Sequence, residues 1–208
     1  LSRSTKTAGF DLIGSAFRLW RPPEPTANLE QIGDDQSLLA LPFYYFGERP
    51  YLLGLAQLER SGLRQIENRM SGGAAVGMAP IRENDRLVRL AIGALMESTS
   101  YTTDELSPDW VPNANPRVAP RAFLVGNGWF RPKRSPVGGF FVGTLLVNPT
   151  EPKDTRGKLD AGLDVKLSRA VSVRLAMNLV HESVTPAGLL STDLRSTVGL
   201  AWKSPPKK

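Results

Sequence analysis

The chain has 208 residues and a formal net charge of +6, from 26 Lys and Arg against 20 Asp and Glu. It has no cysteine and one histidine, His181, which excludes disulfides, thiolate metal sites, a Cys nucleophile and a multi-histidine metal site within one chain. The basic residues are scattered rather than gathered in a stripe, which argues against nucleic acid as a partner, and no run of about 18 apolar residues marks a transmembrane helix.

Ten segments read as strands. Phe10 to Trp20 is the first, with imperfect alternation, and Ser37 to Phe46 is apolar on both parities. Tyr51 to Glu59 follows a short Gly-Glu-Arg-Pro turn, and Gln65 to Met78 carries the small residues Gly72, Gly73, Ala74, Ala75 and Gly77. Arg86 to Ser98 alternates in part. Its leucines could form a helical stripe, but Gly93 and the neighbouring strands favour a strand. Arg117 to Phe130 and Val137 to Val147 follow.

The last three segments carry the clearest signal. Leu159, Ala161, Leu163, Val165 and Leu167 alternate with Lys158, Asp160, Gly162, Asp164 and Lys166. Val171, Val173, Leu175, Met177 and Leu179 alternate with Ser172, Arg174, Ala176 and Asn178. Leu194, Ser196, Val198, Leu200 and Trp202 alternate with Asp193, Arg195, Thr197, Gly199, Ala201 and Lys203. Period two marks a strand with one apolar and one polar face. These strands exceed the ~5–6 residues usual in globular proteins, and about ten tilted residues cross a bilayer.

The expected fold is therefore all-β: a closed antiparallel up-and-down transmembrane β-barrel of about ten strands. It fills residues 1–203 as one domain, with 204–208 a disordered periplasmic tail. Pro42 and Pro120 fall inside strands, where the missing donor predicts bulges or frayed ends. The expected connections at 21–36, 99–116 and 148–156 are long, whereas every even-numbered connection is short, as in outer-membrane barrels. Both termini then lie on the periplasmic side. Leu1 to Gly9 is polar and no signal peptide is present; an envelope protein would have lost one, so a mature chain is expected.

Lys158, Asp160, Asp164, Lys166, Arg174, Asp193 and Arg195 share the polar parity of the last strands and are expected to fill the lumen as a network of paired charges. Leu163, Val165, Val173, Leu175, Val198 and Leu200 are expected to face lipid. A narrow charge-lined porin is one alternative. Phe43, Tyr44, Tyr45, Phe46, Tyr51, Trp129, Phe130 and Trp202 cluster near proposed strand ends, as membrane-interface girdles do. Phe140 and Phe141, in mid-strand, suit core packing equally well.

The run from Asp154 to Leu175, and Ser191-Thr-Asp-Leu-Arg-Ser-Thr-Val-Gly-Leu200, resemble the salt-induced outer-membrane protein family, also called domain of unknown function 481. Tyr51 to Arg60, Arg69 to Gly77 and Leu87 to Gly93 look like its central hairpins. The resemblance implies a Gram-negative outer-membrane barrel without assigned chemistry. The 99–116 loop is longer than usual for that family, and the chain continues past Trp202.

His181-Glu182-Ser183 is the sharpest catalytic candidate, being similar to the His-x-Ser of outer-membrane lipid A deacylases, where serine attacks an ester and histidine is the base. The nearest acids, Glu182 and Asp193, have the opposite parity and would point inward, away from a triad. The functional expectation is accordingly a non-catalytic structural or scaffolding barrel, part of a larger envelope assembly. The alternatives are a lipid hydrolase using Ser183 and His181, the porin, or a soluble ligand-binding barrel. Expected partners are outer-membrane lipid and lipopolysaccharide, together with other envelope proteins. No cofactor, metal or nucleic acid is expected. Lys203, Lys207 and Lys208, with the Arg131-Pro-Lys-Arg134 turn, are expected to touch an acidic partner.

Overall fold

The computed structural model describes residues 2–4, 8–21, 30–103, 106–107, 116–133, 135–168 and 171–202, and the side chains of 8–9, 35–103, 106, 116–133, 135–168 and 171–200. Ten long strands follow one another: β1 Ala8–Arg21, β2 Glu30–Tyr45, β3 Pro50–Ser61, β4 Ile66–Arg82, β5 Arg86–Tyr101, β6 Arg117–Phe130, β7 Val137–Asn148, β8 Glu151–Lys166, β9 Val171–Glu182 and β10 Thr192–Trp202. Each pairs antiparallel with the next, and there is no helix among the described residues. The short strand Ser2–Ser4 lies against β1. Leu106–Ser107 and Thr185–Pro186 form a small separate ribbon between two connections. Strand β10 pairs only with β9, so the sheet is open: among the described residues no ladder joins β10 to β1.

The strands outrun the segments expected from alternation because proline is absorbed into them. Pro80 and Pro152 fall where the ladder skips, between Met78 and Ile81 and between Glu151 and Thr155. Such irregularities tolerate a missing N–H. The connection expected at 148–156 shrinks to residues 149–150 for the same reason. Asn148 helps by accepting from the Thr150 backbone N–H at 3.0 Å and from its hydroxyl at 2.7 Å, an Asx-type turn. Pro42 causes no bulge. The β2–β3 ladder resumes in register beyond it, and Gly54 leaves room for its ring. Pro120 lies before the β6–β7 ladder begins at Ala122, so its missing donor is needed by no partner there.

Curvature has a local cause. Gly73 faces Leu95 and Gly93 faces Ala75 across β4 and β5, and a Cβ on either glycine would run into the backbone of the other strand. With no side chains at these positions, the pair can coil tightly. The sheet rolls far enough for β4 and β9 to touch through Arg69 and Glu182.

The inner face is apolar along β2 to β7, with Leu41, Leu53, Leu55, Leu95, Phe123 and Leu146 buried together. Phe43, Tyr45 and Tyr51 belong to this core, not to an interfacial girdle; Tyr44 and Phe46, of opposite parity, are exposed. At the end carrying connections 46–49, 83–85, 131–136 and 167–170 (the turn end), the Arg82 guanidinium lies 3.7 Å over the Tyr45 ring and that of Arg89 4.5 Å over Phe43. The outer face is also apolar. Leu52, Val76, Ile92, Leu124, Val198 and Leu200 are all exposed, Leu200 to 79%.

Candidate functional site: a buried ion-pair plug above an internal slot

Charged residues interrupt the inward, mostly apolar parity near the opposite end, the loop end, where connections 22–29, 62–65, 102–116, 149–150 and 183–191 lie. On β5 the inward series runs Arg89, Ala91, Gly93, Leu95, Glu97; on β6 it runs Ala119, Arg121, Phe123, Val125. Rolling the sheet brings Glu97 and Arg121 together with charges from other strands, while Arg89 stays at the turn end. Arg69 on β4 grips Glu182 at the end of β9 through two bonds, Nη1 to Oε1 at 2.8 Å and Nη2 to Oε2 at 2.9 Å. Its Nη1 also donates to Glu59 at 3.2 Å and its Nε to the Thr99 hydroxyl at 3.1 Å. Arg64, in the 62–65 turn, completes the square with Glu182 at 2.8 Å and Glu59 at 3.0 Å.

A second cluster adjoins the first. Arg121 pairs with Glu97 at 3.1 Å and with Asp154 at 2.8 Å. Arg117 reaches Asp154 at 2.6 Å, and Arg156 reaches Glu97 at 2.6 Å. Five arginines therefore meet four carboxylates. Two-pronged guanidinium–carboxylate contacts fix geometry as well as charge, and full pairing is the condition for keeping such groups buried. Beyond this plug, Ile66, Tyr101, Leu106 and Val184 form a small apolar cap, to which the Leu106–Ser107 ribbon contributes.

Toward the turn end lies a cavity of about 540 Å³. One wall is apolar, with Leu39, Leu55, Leu95, Phe123 and Leu146; the other is polar, with Lys158, Asp160, Asn178, Arg195 and Thr197. The plug residues Glu59 and Arg64 also line it. No group of three or more His, Cys, Asp or Glu residues suited to a metal ion occurs among the described residues.

Of the charges singled out in the last strands, Lys158, Asp160 and Arg195 line the polar wall, whereas Asp164, Lys166, Arg174 and Asp193 are not among its described lining residues. Asp164 and Arg174, paired in register, bond at 2.6 Å. Lys158 and Asp160 approach to 3.7 Å, and Asn178 bonds to Asp160. Arg195 bonds Asp193 and reaches Asp35 on β2 at 3.1 Å. Lys166 is exposed at the turn end, where its backbone N–H donates to Pro136. Leu163, Leu175, Val198 and Leu200 are exposed, and Val165 and Val173 half-buried; register pairs Leu163 with Leu175, Val165 with Val173, and Leu175 with Val198 on one face. The dense buried plug was not anticipated. Arg69, Glu97 and Arg121 stand singly in mostly apolar strands, and the available signal is a charge occupying an apolar parity position near the same end of several strands.

His181 and Ser183 are engaged separately. His181 Nδ1 lies 2.9 Å from the Thr192 hydroxyl. The Ser183 hydroxyl accepts from the Thr155 N–H at 2.7 Å and donates to the Thr155 carbonyl at 3.1 Å. No hydrogen bond joins the two side chains among the described residues, and Glu182 between them is held by Arg69 and Arg64 inside. The Lys203–Lys208 tail and Arg134 lie outside the described residues.

These features define a class: an antiparallel all-β sheet of about ten strands, apolar on its outer face and pinned internally by paired charges. The chain belongs to the family described as protein of unknown function, DUF481, whose model matches residues 34–203. No curated protein and no solved structure matches it.

Proposed function

We propose that this chain is a non-catalytic outer-membrane β-barrel whose interior is blocked at one end by ion pairs, with a structural role, anchoring or scaffolding a larger envelope assembly. The observation that carries this reading is the inverted distribution of polarity. Leu52, Ile92, Leu124 and Leu200 are exposed on the outer face while Arg69, Glu97, Arg121, Asp154 and Glu182 are buried within. Exposed apolar patches beyond a few hundred Å² mark a protein or membrane contact, and here the outward leucines, isoleucines and valines recur from β3 to β10. Strands of 11 to 17 residues from β1 to β10 meet or exceed the ~9–11 that a tilted transmembrane strand needs.

Closure of the sheet belongs to the same reading. Unpaired backbone groups in hydrocarbon cost several kcal/mol each, so a lipid-embedded sheet cannot keep two free edges. Arg195 on the last strand already reaches Asp35 on β2, beyond the first, at 3.1 Å, which supports an approach of β10 to β1. The plug argues for a blocked lumen over a porin. The separate engagement of His181 and Ser183 argues for scaffold over hydrolase.

The test is to fold the chain with and without detergent micelles and to fractionate cells expressing a tagged copy. The reading expects a folded, heat-modifiable species in micelles only, recovery with outer membranes, and no conductance steps in planar bilayers. A monodisperse protein stable in plain buffer, found in a soluble fraction, would refute it.

A further inference from the structure

Charge divides unevenly between the two ends of the sheet. In the sequence, the turn-end connections 46–49, 83–85, 131–136 and 167–170 carry five cations against three anions, whereas the loop-end connections carry one cation, Arg64, against four anions. At the turn end, Arg49, Lys133 and Lys166 are exposed, and no ion pair holds any of them among the described residues. Arg86 pairs with Glu83, but its side chain is still 57% exposed. Backbone bonds tie these turns into one rim: the Arg131 N–H donates to the Asp85 carbonyl at 2.7 Å, and the Lys166 N–H to the Pro136 carbonyl at 2.8 Å. A second asymmetry falls at the same end. Among the described residues, the exposed aromatic side chains are Tyr44, Phe46 and Phe130, and all three stand where β2 and β6 meet the turns. Phe46 and Arg49 share one turn, Phe130 pairs in register with Arg86, and the exposed Leu167 follows Lys166. Aromatic rings bordered by cations mark the level of lipid headgroups.

We propose that the turn-end rim selects anionic glycerophospholipids by their headgroups. The inference rests on the outer-membrane reading: a lipid whose acyl chains lie against the outer face presents its phosphate at the rim. Lys133, Lys166 and Arg86 meet these phosphates on one sector and Arg49 on another, while the acyl chains lie beyond Phe46 and Phe130. A zwitterionic headgroup brings a cation of its own, which the rim repels, so it is held less tightly. The loop end, with its excess of acidic connection residues, has no such preference.

The test folds the full chain in non-ionic micelles and adds equal amounts of phosphatidylglycerol and phosphatidylcholine with identical acyl chains. Intact-protein mass spectra then count the lipids retained. A chain that never enters micelles fails before any lipid is counted, and that result overturns the outer-membrane reading and this one with it. For the folded chain, phosphatidylglycerol should be retained in clear preference, and less so at high salt. Each cation beside an anionic surface contributes about fivefold, so Lys133→Gln with Lys166→Gln should lower the preference at least about tenfold. Lys133→Arg with Lys166→Arg should keep it. Arg60→Gln with Lys153→Gln, which removes two exposed cations at the loop end, should also keep it. Equal retention of the two lipids by the parent would overturn the proposal and leave an acidic protein segment as the occupant of the rim. A loop-end variant that lowers the preference as much as the rim variant would overturn it too, since net charge alone would then explain the retention.

Discussion

Replacing Arg69 by Met keeps its length and apolar stem but removes the charge at the centre of the plug. The Arg69 side chain is 2% exposed and makes two bonds to Glu182, one to Glu59 and one to Thr99. Removing one member of a buried pair costs ~3–5 kcal/mol, because the partner's charge is left without compensation. Arg64 remains bonded to both Glu59 and Glu182, which places the expected loss at the lower end, about 3 kcal/mol. Urea unfolding of the micelle-folded protein, followed by tryptophan emission, reads this directly. With m of ~1–3 kcal/mol/M, the midpoint should fall by roughly 1–3 M. Combining the change with Glu182→Leu should cost less than the two single losses together, by ~0.5–3 kcal/mol, since the orphaned charge is then absent. A single-variant loss below ~1 kcal/mol, the value of an exposed pair, would show that the plug is solvated and that its bonds do not pin the sheet.

Gly93→Ala should destabilise by ~1–3 kcal/mol, because the added methyl meets the Ala74 carbonyl and Ala75, whereas Gly199→Ala, with nothing nearby, should stay within ~0.5 kcal/mol; equal effects in the same titration would remove the glycine account of curvature. Ser183→Ala should cost ~1–2 kcal/mol through its two bonds to the Thr155 backbone and leave acyl release from lipid A unchanged. Release by the parent that vanishes in this variant would establish the hydrolase. Deleting residues 204–208 should weaken recovery of an acidic envelope partner at low salt but not at moderate salt, as screening predicts; recovery unchanged at both would show that the tail takes no part.

What could be read beforehand followed from period. Strands β8, β9 and β10 alternate strictly, so their pairing and the sharing of faces by Leu163, Leu175 and Val198 were legible residue by residue. Strands β2 to β6 were harder, because both of their faces are apolar, and alternation carries no direction when neither parity is polar. Hence position near strand ends points Phe43, Tyr45 and Tyr51 to an interface, while the fold buries them. The plug was illegible for a different reason. A lone Arg69 or Glu97 in an apolar strand gives no hint of its partner, which lies on a strand far away in the chain. Closure between β1 and β10, part of the proposed barrel, likewise depends on curvature, which alternation does not encode.

The spacing of the plug has a consequence for the order of events in folding. Arg69 and Glu182 are separated by 113 residues, and Arg64 and Glu182 by 118. Neighbouring strands can zip up one hairpin at a time, but these bonds form only after the strands between β4 and β9 have rolled into place. Contacts of such long range come late and are absent from much of the climb to the transition state. Stabilisation that arrives after the barrier slows unfolding and leaves the folding rate almost untouched. The plug therefore acts as a latch. Stopped-flow traces of Arg69→Met should show nearly the parental refolding rate and an unfolding rate raised by about two orders of magnitude, the full ~3 kcal/mol appearing on one limb. The lifetime of the rolled sheet, more than its route of assembly, rests on those few guanidinium bonds.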